Sequence, residues 1–144
     1  NYAGQPWKTQ FWIRQVMDRL YKATPDGYCG DEDNGQTSAW YVFSAMGFYP
    51  VTPATDQYVL GAPLFRNITM QLSNGKKVVI NAPNNSSENR YIERLRVNGK
   101  THTRNWLSHA DLMKGAKLNF KMTDKPNKNR GTSKADAPFS LSNE

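Results

Sequence analysis

The hydrophobic pattern changes period once, between Met46 and Tyr49, and that change restricts the chain to a helical unit followed by a β unit. Before the change, Ile13, Val16, Met17, Leu20 and Tyr21 recur at helical spacing, which predicts a helix from about Trp7 to Ala23. Pro6 suits its first position, where the missing N–H would have no partner anyway. Thr24-Pro25-Asp26-Gly27 stops it with a restricted pre-proline residue and a turn. A second helix is expected from about Gly35 to Met46, capped by Asp33 or Asn34 and ended by Gly47. Both helices carry large apolar side chains on more than one face. Two helices alone cannot bury that surface, so they read as members of a larger helical assembly whose other members lie outside this chain.

After Phe48 the segments are short and strand-like: Tyr58-Val59-Leu60, Ile68 to Leu72, Lys77 to Asn81, Arg90 to Val97 and Lys117 to Met122. Ser73-Asn74-Gly75-Lys76 and Val97-Asn98-Gly99-Lys100 are Asn-Gly hairpin signals. His109 to Met113 suggests a short helical turn. The expected organisation is α+β: helices over residues 1–48, a small antiparallel β-sandwich over 49–122, and an irregular tail over 123–144 that lies over a neighbour. There is no internal repeat.

With 38% hydrophobic and 12% aromatic residues, the 144-residue chain can build a real core. No apolar run approaches the roughly 20 residues of a membrane helix, so no membrane span is expected. The chain begins at Asn1 without a signal-peptide pattern and reads as a piece of something longer. Its one cysteine, Cys29, excludes an internal disulfide and a multi-cysteine zinc site. Acidic neighbours disfavour a Cys29 thiolate and neither His102 nor His109 is near in sequence, so it reads as a packed small hydrophobe rather than a nucleophile. Net charge divides into −1 over residues 1–50 and +8 over the remainder. The cations of the basic half are scattered through strand-like segments without aromatic stacking partners. That argues against nucleic-acid binding and for a solvated β surface or one facing an acidic neighbouring domain.

Chemistry concentrates in Gly30-Asp31-Glu32-Asp33-Asn34-Gly35-Gln36, directly ahead of the apolar Ala39-Trp40-Tyr41-Val42-Phe43. Carboxylates are rarely buried unless paired, protonated or metal-bound, so acidic residues at the mouth of a buried helix are either a helix cap or a working site. Asp31 and Asp33, two residues apart in a glycine-flanked loop, can face one cavity; their mutual repulsion suits either a hard-cation site or general acid–base work. An EF-hand is excluded, because its sixth-position glycine and twelfth-position glutamate are replaced by Gln36 and Val42. The local alternative is a helix cap by Asp33 and Asn34, with Asp31 and Glu32 favouring the positive helix end. The residues alone leave both open.

Three strings carry a wider resemblance: Asn1-Tyr2-Ala3-Gly4-Gln5-Pro6-Trp7-Lys8-Thr9-Gln10, Gly30 to Tyr41 across the acidic loop, and Met46-Gly47-Phe48-Tyr49-Pro50. His109 to Gly115 and the Lys125-Pro126-Asn127 tail extend it, so that nearly the whole chain resembles glycoside hydrolase family 92, the calcium-dependent exo-acting α-mannosidases, many of them α-1,2-specific. The resemblance implies that the two helices are the last of an (α/α)6 catalytic barrel and that the β half packs beside it. It implies an inverting mechanism in which calcium holds the mannose 2- and 3-hydroxyls, a carboxylate base activates water, and a separate acid protonates the leaving group. By motif match Asp31 and Asp33 take the base and calcium roles, undivided between them, and Glu32, Asn34 and Gln36 support the loop. Nothing in the chain matches the family's catalytic acid, so the isolated chain is expected to be inactive. Its implied partners are mannose-containing glycans, the rest of its own barrel and an N-terminal domain; its implied location is the bacterial periplasm, cell surface or exterior. The competing reading is a non-catalytic carbohydrate-binding or interaction module formed by the β half.

Other residues have structural readings. Trp7, Trp12 and Trp40 can stack on sugars but are expected in the core, Trp106 beside Leu107 is assigned to the sandwich core, and His102 and His109 are assigned structural roles. The sequons at Asn67, Asn84 and Asn85 are read as chance occurrences.

Overall fold

A computed structural model describes residues 1–143. Helix α1 spans Pro6–Leu20 and α2 spans Gln36–Met46. They are followed by strands β1 (Phe48–Tyr49), β2 (Gln57–Leu60), β3 (Asn67–Gln71), β4 (Lys77–Asn81), β5 (Tyr91–Val97), β6 (Lys100–Thr101) and β7 (Trp106–Ser108). A short helix α3 (His109–Met113) then precedes β8 (Ala116–Thr123). One sheet has the order β1-β2-β7 and the other β3-β4-β8-β5-β6. The fold class is α+β, as the change of period requires.

The two sheets share a single hydrophobic core. Phe48, Leu60 and Leu107 from the first meet Val78, Ile80, Ile92, Leu95, Leu118, Phe120 and Met122 from the second. Alternation works as expected on β8, whose Ala116, Leu118, Phe120 and Met122 are buried between exposed or half-buried neighbours. Both Asn-Gly turns close hairpins, β3–β4 and β5–β6; the second places Asn98 at φ 50° and Gly99 at φ 82°, the paired left-handed geometry that Asn-Gly tolerates.

The expectation of a purely antiparallel unit is corrected by β4 and β8, which pair in parallel, Val78 with Ala116 through Asn81 with Asn119. The chain leaves β4, builds β5, β6, β7 and α3, and returns to insert β8 between β4 and β5; antiparallel to β5, it must run with β4. The helix α1 also ends earlier than expected. Tyr21 turns out to an extended conformation, φ −111° and ψ 136°, and its ring stacks on Trp40 and meets Tyr41.

Helix α1 presents a polar stripe to the β unit. Gln10, Arg14 and Met17, at i, i+4 and i+7, are its buried residues after Pro6, whereas Leu20 is 51% and Trp12 61% exposed. Ile92 N–H donates to Gln10 Oε1 at 2.9 Å. Arg14 donates through Nη1 to Pro63 O (2.7 Å) and Asn85 Oδ1 (3.1 Å), and through Nη2 to Ser86 O (3.1 Å). Asn85, buried in this network, therefore cannot serve as a glycosylation acceptor. Of the apolar residues that set the period of α1, Met17 is buried, whereas Ile13 and Val16 are left half-covered and Leu20 exposed, as is Val42 on α2.

The tryptophans differ from expectation in the same sense: Trp7, Trp40 and Trp106 are only half-buried, and Trp12 is exposed. Trp106 lies under the Arg104 guanidinium, 4.8 Å from its ring centre, while Leu107 fills the core place. His102 Nε2 donates to Trp106 O at 2.8 Å and His109 Nδ1 is hydrogen-bonded to Tyr58 Oη at 3.0 Å. The tail, expected to be irregular and to lie over a neighbour, is pinned to its own β unit. Arg130 donates to Asn105 Oδ1, His102 O and Arg104 O, and Asn105 Nδ2 donates to Gly131 O at 2.6 Å. A short 3-10 turn follows at Lys134–Asp136.

Candidate active-site loop

The acidic loop bridges the two helices. Its entrance is set at Tyr21, whose hydroxyl donates to Thr37 O in the first turn of α2 at 3.1 Å, and whose ring packs with Tyr28, Trp40 and Tyr41. Burial above all, with a hydrogen bond to Cys29, pushes the Tyr21 phenol up to about 12, so it stays a neutral donor at any working pH. Beside it lies a cavity of about 530 Å³ walled by Tyr21, Tyr28, Tyr41, Pro25 and Lys22. Cys29 is exposed, which corrects its reading as a packed hydrophobe.

The expected cap by Asp33 or Asn34 does not form. Gly35 occupies the N-cap of α2 at φ 70°, and no side chain caps from that position. Glu32 does the work from three residues earlier: Ser38 N–H donates to Glu32 Oε2 at 2.8 Å, and the Ser38 hydroxyl donates to Glu32 Oε1. The hydroxyl bond from Ser38, with the backbone bond adding to it, holds the Glu32 carboxyl below the usual carboxylate range. Thr37 Oγ1 donates to Asp31 O at 2.8 Å, and Gly35 N–H donates to Glu32 O at 2.9 Å, closing the loop on the helix. Asp33 N–H donates to Asp31 Oδ1 at 2.9 Å, so the two aspartates belong to one tight turn.

One carboxylate of the three is thus occupied in holding the helix, and two are presented. Asp31 and Asp33 are exposed and form no ion pair among the described residues. Asn34 and Gln36 are also exposed, and neither side chain is fixed by a hydrogen bond among the described residues. The oxygen chemistry of Asp31 and Asp33 suits a hard cation. Among the described residues, however, no group of three His, Cys, Asp or Glu side chains converges, so these two furnish only part of a coordination shell.

A model of the glycosyl hydrolase family 92 catalytic domain matches residues 1–124. The chain belongs to glycoside hydrolase family 92. It is 54% identical to a family 92 inverting mannosidase from Bacteroides thetaiotaomicron, aligning over 98% of this chain and 19% of that one with a TM-score of 0.92. A second family 92 α-mannosidase from the same organism, solved in complex with mannoimidazole, is 44% identical over 97% of this chain and 18% of its own, with a TM-score of 0.93. An uncharacterised secreted glycosidase from Arthroderma benhamiae is 31% identical over 98% of this chain. The chain spans 18% of that relative's length. The α+β fold is that of the C-terminal region of family 92 enzymes.

Sequence reasoning found the loop but not what holds it. Ser38 lies six residues from Glu32, outside the three-residue spacing of a capping box, and Tyr21 meets Thr37 across sixteen residues. The signal available was compositional: a glutamate flanked by two aspartates, followed by Thr37-Ser38 at the helix start.

Proposed function

We propose that the chain is the C-terminal part of an inverting, calcium-dependent α-mannosidase that removes terminal α-mannose, α-1,2-linked in the first instance, from glycans. The observation that carries this reading is the division of labour in the acidic loop of a family 92 chain: Glu32 is consumed in fixing α2, leaving Asp31 and Asp33 exposed, unpaired and held in one turn. Hydrogen bonds from Thr37 and Ser38 to Asp31 O and the Glu32 carboxylate tie the loop to the start of α2, which restricts how these two carboxylates are presented.

In this reading one of the two carboxylates takes a proton from water as its oxygen attacks the anomeric carbon opposite the leaving group. Asp31 and Asp33 oxygens would also hold calcium, which supplies an anchor for sugar hydroxyls when bound. Inversion requires a second carboxyl group roughly 6.5–9.5 Å away on the other side of the scissile bond. Two aspartates of one turn do not meet that need, so the acid belongs to the preceding part of the protein and the isolated chain is inactive. The same preceding part covers the exposed apolar faces of α1 and α2 as the rest of an (α/α)6 barrel. The location proposed is the bacterial cell surface, periplasm or exterior, in keeping with the secreted relative. A free-standing carbohydrate-binding β module is less well supported, because Gln10 and Arg14 of α1 are buried in the β unit.

The test is Asp31→Asn and Asp33→Asn in the full-length protein, assayed on an α-1,2-linked mannobiose with and without chelator. Loss of a general base lowers kcat about 10²–10⁴-fold. Product followed by proton NMR is expected to appear first as β-mannose. Near-normal activity in both variants overturns the assignment.

A further inference from the structure

The outward face of the five-stranded sheet carries a second constellation, independent of the acidic loop. A β-bulge between Ile92 and Arg94 creates it. Ile92 pairs with Met122, but Arg94, not Glu93, pairs with Lys121, and Arg96 then pairs with Asn119. Without the extra residue, Arg94 and Arg96 would share the inward side with Ile92; with it, Leu95 faces the core and both arginines face out. The irregularity therefore re-aims two guanidinium groups to the face that already holds Lys121.

Among the described residues neither the Arg94 nor the Arg96 side chain takes part in a hydrogen bond or ion pair; Lys121 pairs with Glu93 at 2.8 Å. Arg94 stands opposite Lys121 across the strands; Glu93 neutralises the lysine, and both guanidinium groups are left without a counter-charge among the described residues. The three side chains surround a hollow of about 360 Å³ with Asn84, Asn119 and Pro83. From this hollow a polar row crosses the whole sheet in register: Asn67, Asn81, Asn119, Arg96 and Thr101. Asn81 Nδ2 donates to Asn119 Oδ1 at 3.1 Å, which orients the amides along the row.

We propose that this face binds an acidic glycan, with Arg94, Arg96 and Lys121 receiving its carboxylate or sulfate groups and the asparagine row receiving neighbouring hydroxyls. Paired guanidinium forks match planar or tetrahedral oxyanions bidentately. The ring in the hollow's lining, Phe120, is buried, so the site lacks the exposed stacking platform that single-stranded nucleic acids use. It equally lacks the aromatic and apolar centre of a protein interface. The face would hold an envelope or matrix polysaccharide while the acidic loop, on another part of the chain, works on a different segment.

The full-length protein tests this by calorimetric titration with oligogalacturonate, a sulfated oligosaccharide, neutral mannan fragments and duplex DNA of matched charge. Binding to one or both acidic glycans, weakening with salt, is expected. The double variant Arg94→Gln, Arg96→Gln should bind at least about tenfold more weakly, since two charge-assisted contacts are lost. Lys8→Gln, on α1, should bind as wild type. Both arginine side chains are exposed, so an unchanged melting temperature and unchanged turnover of a small aryl mannoside are expected in the double variant, whichever acidic probe binds. No binding of either acidic glycan, equal affinity of wild type and double variant, equal affinity for neutral mannan, or tighter binding of DNA than of the glycans each overturns the proposal.

Discussion

Arg14 is the residue whose removal tests most directly how α1, and through it the acidic loop, is attached to the β unit. It is 3% exposed and is held by carbonyl and amide oxygens rather than by a carboxylate, with Nε lacking a partner among the described residues. In Arg14→Met the apolar stem is kept and the guanidinium is lost. Pro63 O retains the Asn85 Nδ2 bond at 3.1 Å, but Asn85 Oδ1 and Ser86 O lose the Arg14 donors. Losing charge-assisted donors at the buried Asn85 Oδ1 and the half-buried Ser86 O costs about 2 kcal/mol each. Relief of a desolvated charge returns about 1 kcal/mol, leaving a net loss of about 3 kcal/mol. If α1 opens locally, its amides exchange on the order of 100-fold faster. Hydrogen-exchange mass spectrometry of the full-length protein reads this on peptides covering residues 7–20, with β8 as internal reference. Arg14→Lys should fall between, because a single ammonium cannot span acceptors on both sides. Unchanged exchange in α1 of Arg14→Met would refute the view that this buried cation fastens the helix.

Three further outcomes are expected. Glu32 has a folded-state pKa below its unfolded value, so its stabilisation is present above the unfolded value and disappears as pH falls through the folded one. Protection at the start of α2 should therefore decline on acidification in wild type and be weaker but flat with pH in Glu32→Gln; the same pH dependence in both would exclude Glu32 as the cap. At Gly131, φ 68°, an added Cβ would collide with the buried Asn105 Oδ1. Gly131→Ala should loosen the tail by at least about 2 kcal/mol, read as faster tryptic cleavage after Lys128; unchanged cleavage would contradict the clamp. Finally, chelation should abolish mannosidase activity and added calcium restore it, whereas full activity in chelator would dissociate Asp31 and Asp33 from a metal role.

The features legible in the sequence were those set within a few residues. Pro6 opening α1, Gly47 ending α2, the two Asn-Gly hairpins, the span of α3 and the alternation of β8 each follow from local sterics or a short period. Strands β1, β6 and β7, two or three residues long, are too short to show a period. The acidic loop was visible because its composition conflicts with the apolar helix behind it. What its members do was not visible. Glu32 rather than Asp33 or Asn34 restrains α2 because the loop folds back six residues, and Tyr21 reaches Thr37 only because both helices are already in place. Tertiary structure alone decided that the buried stripe of α1 is Gln10 and Arg14, since their partners lie on residues 63 to 92 of the β unit. It alone decided the parallel β4–β8 pair and the bulge that turns Arg94 and Arg96 outward. Sequence determined where helices, turns and carboxylates could stand; non-local hydrogen bonding, which no short window of residues records, decided which of them hold the fold and which remain free to act.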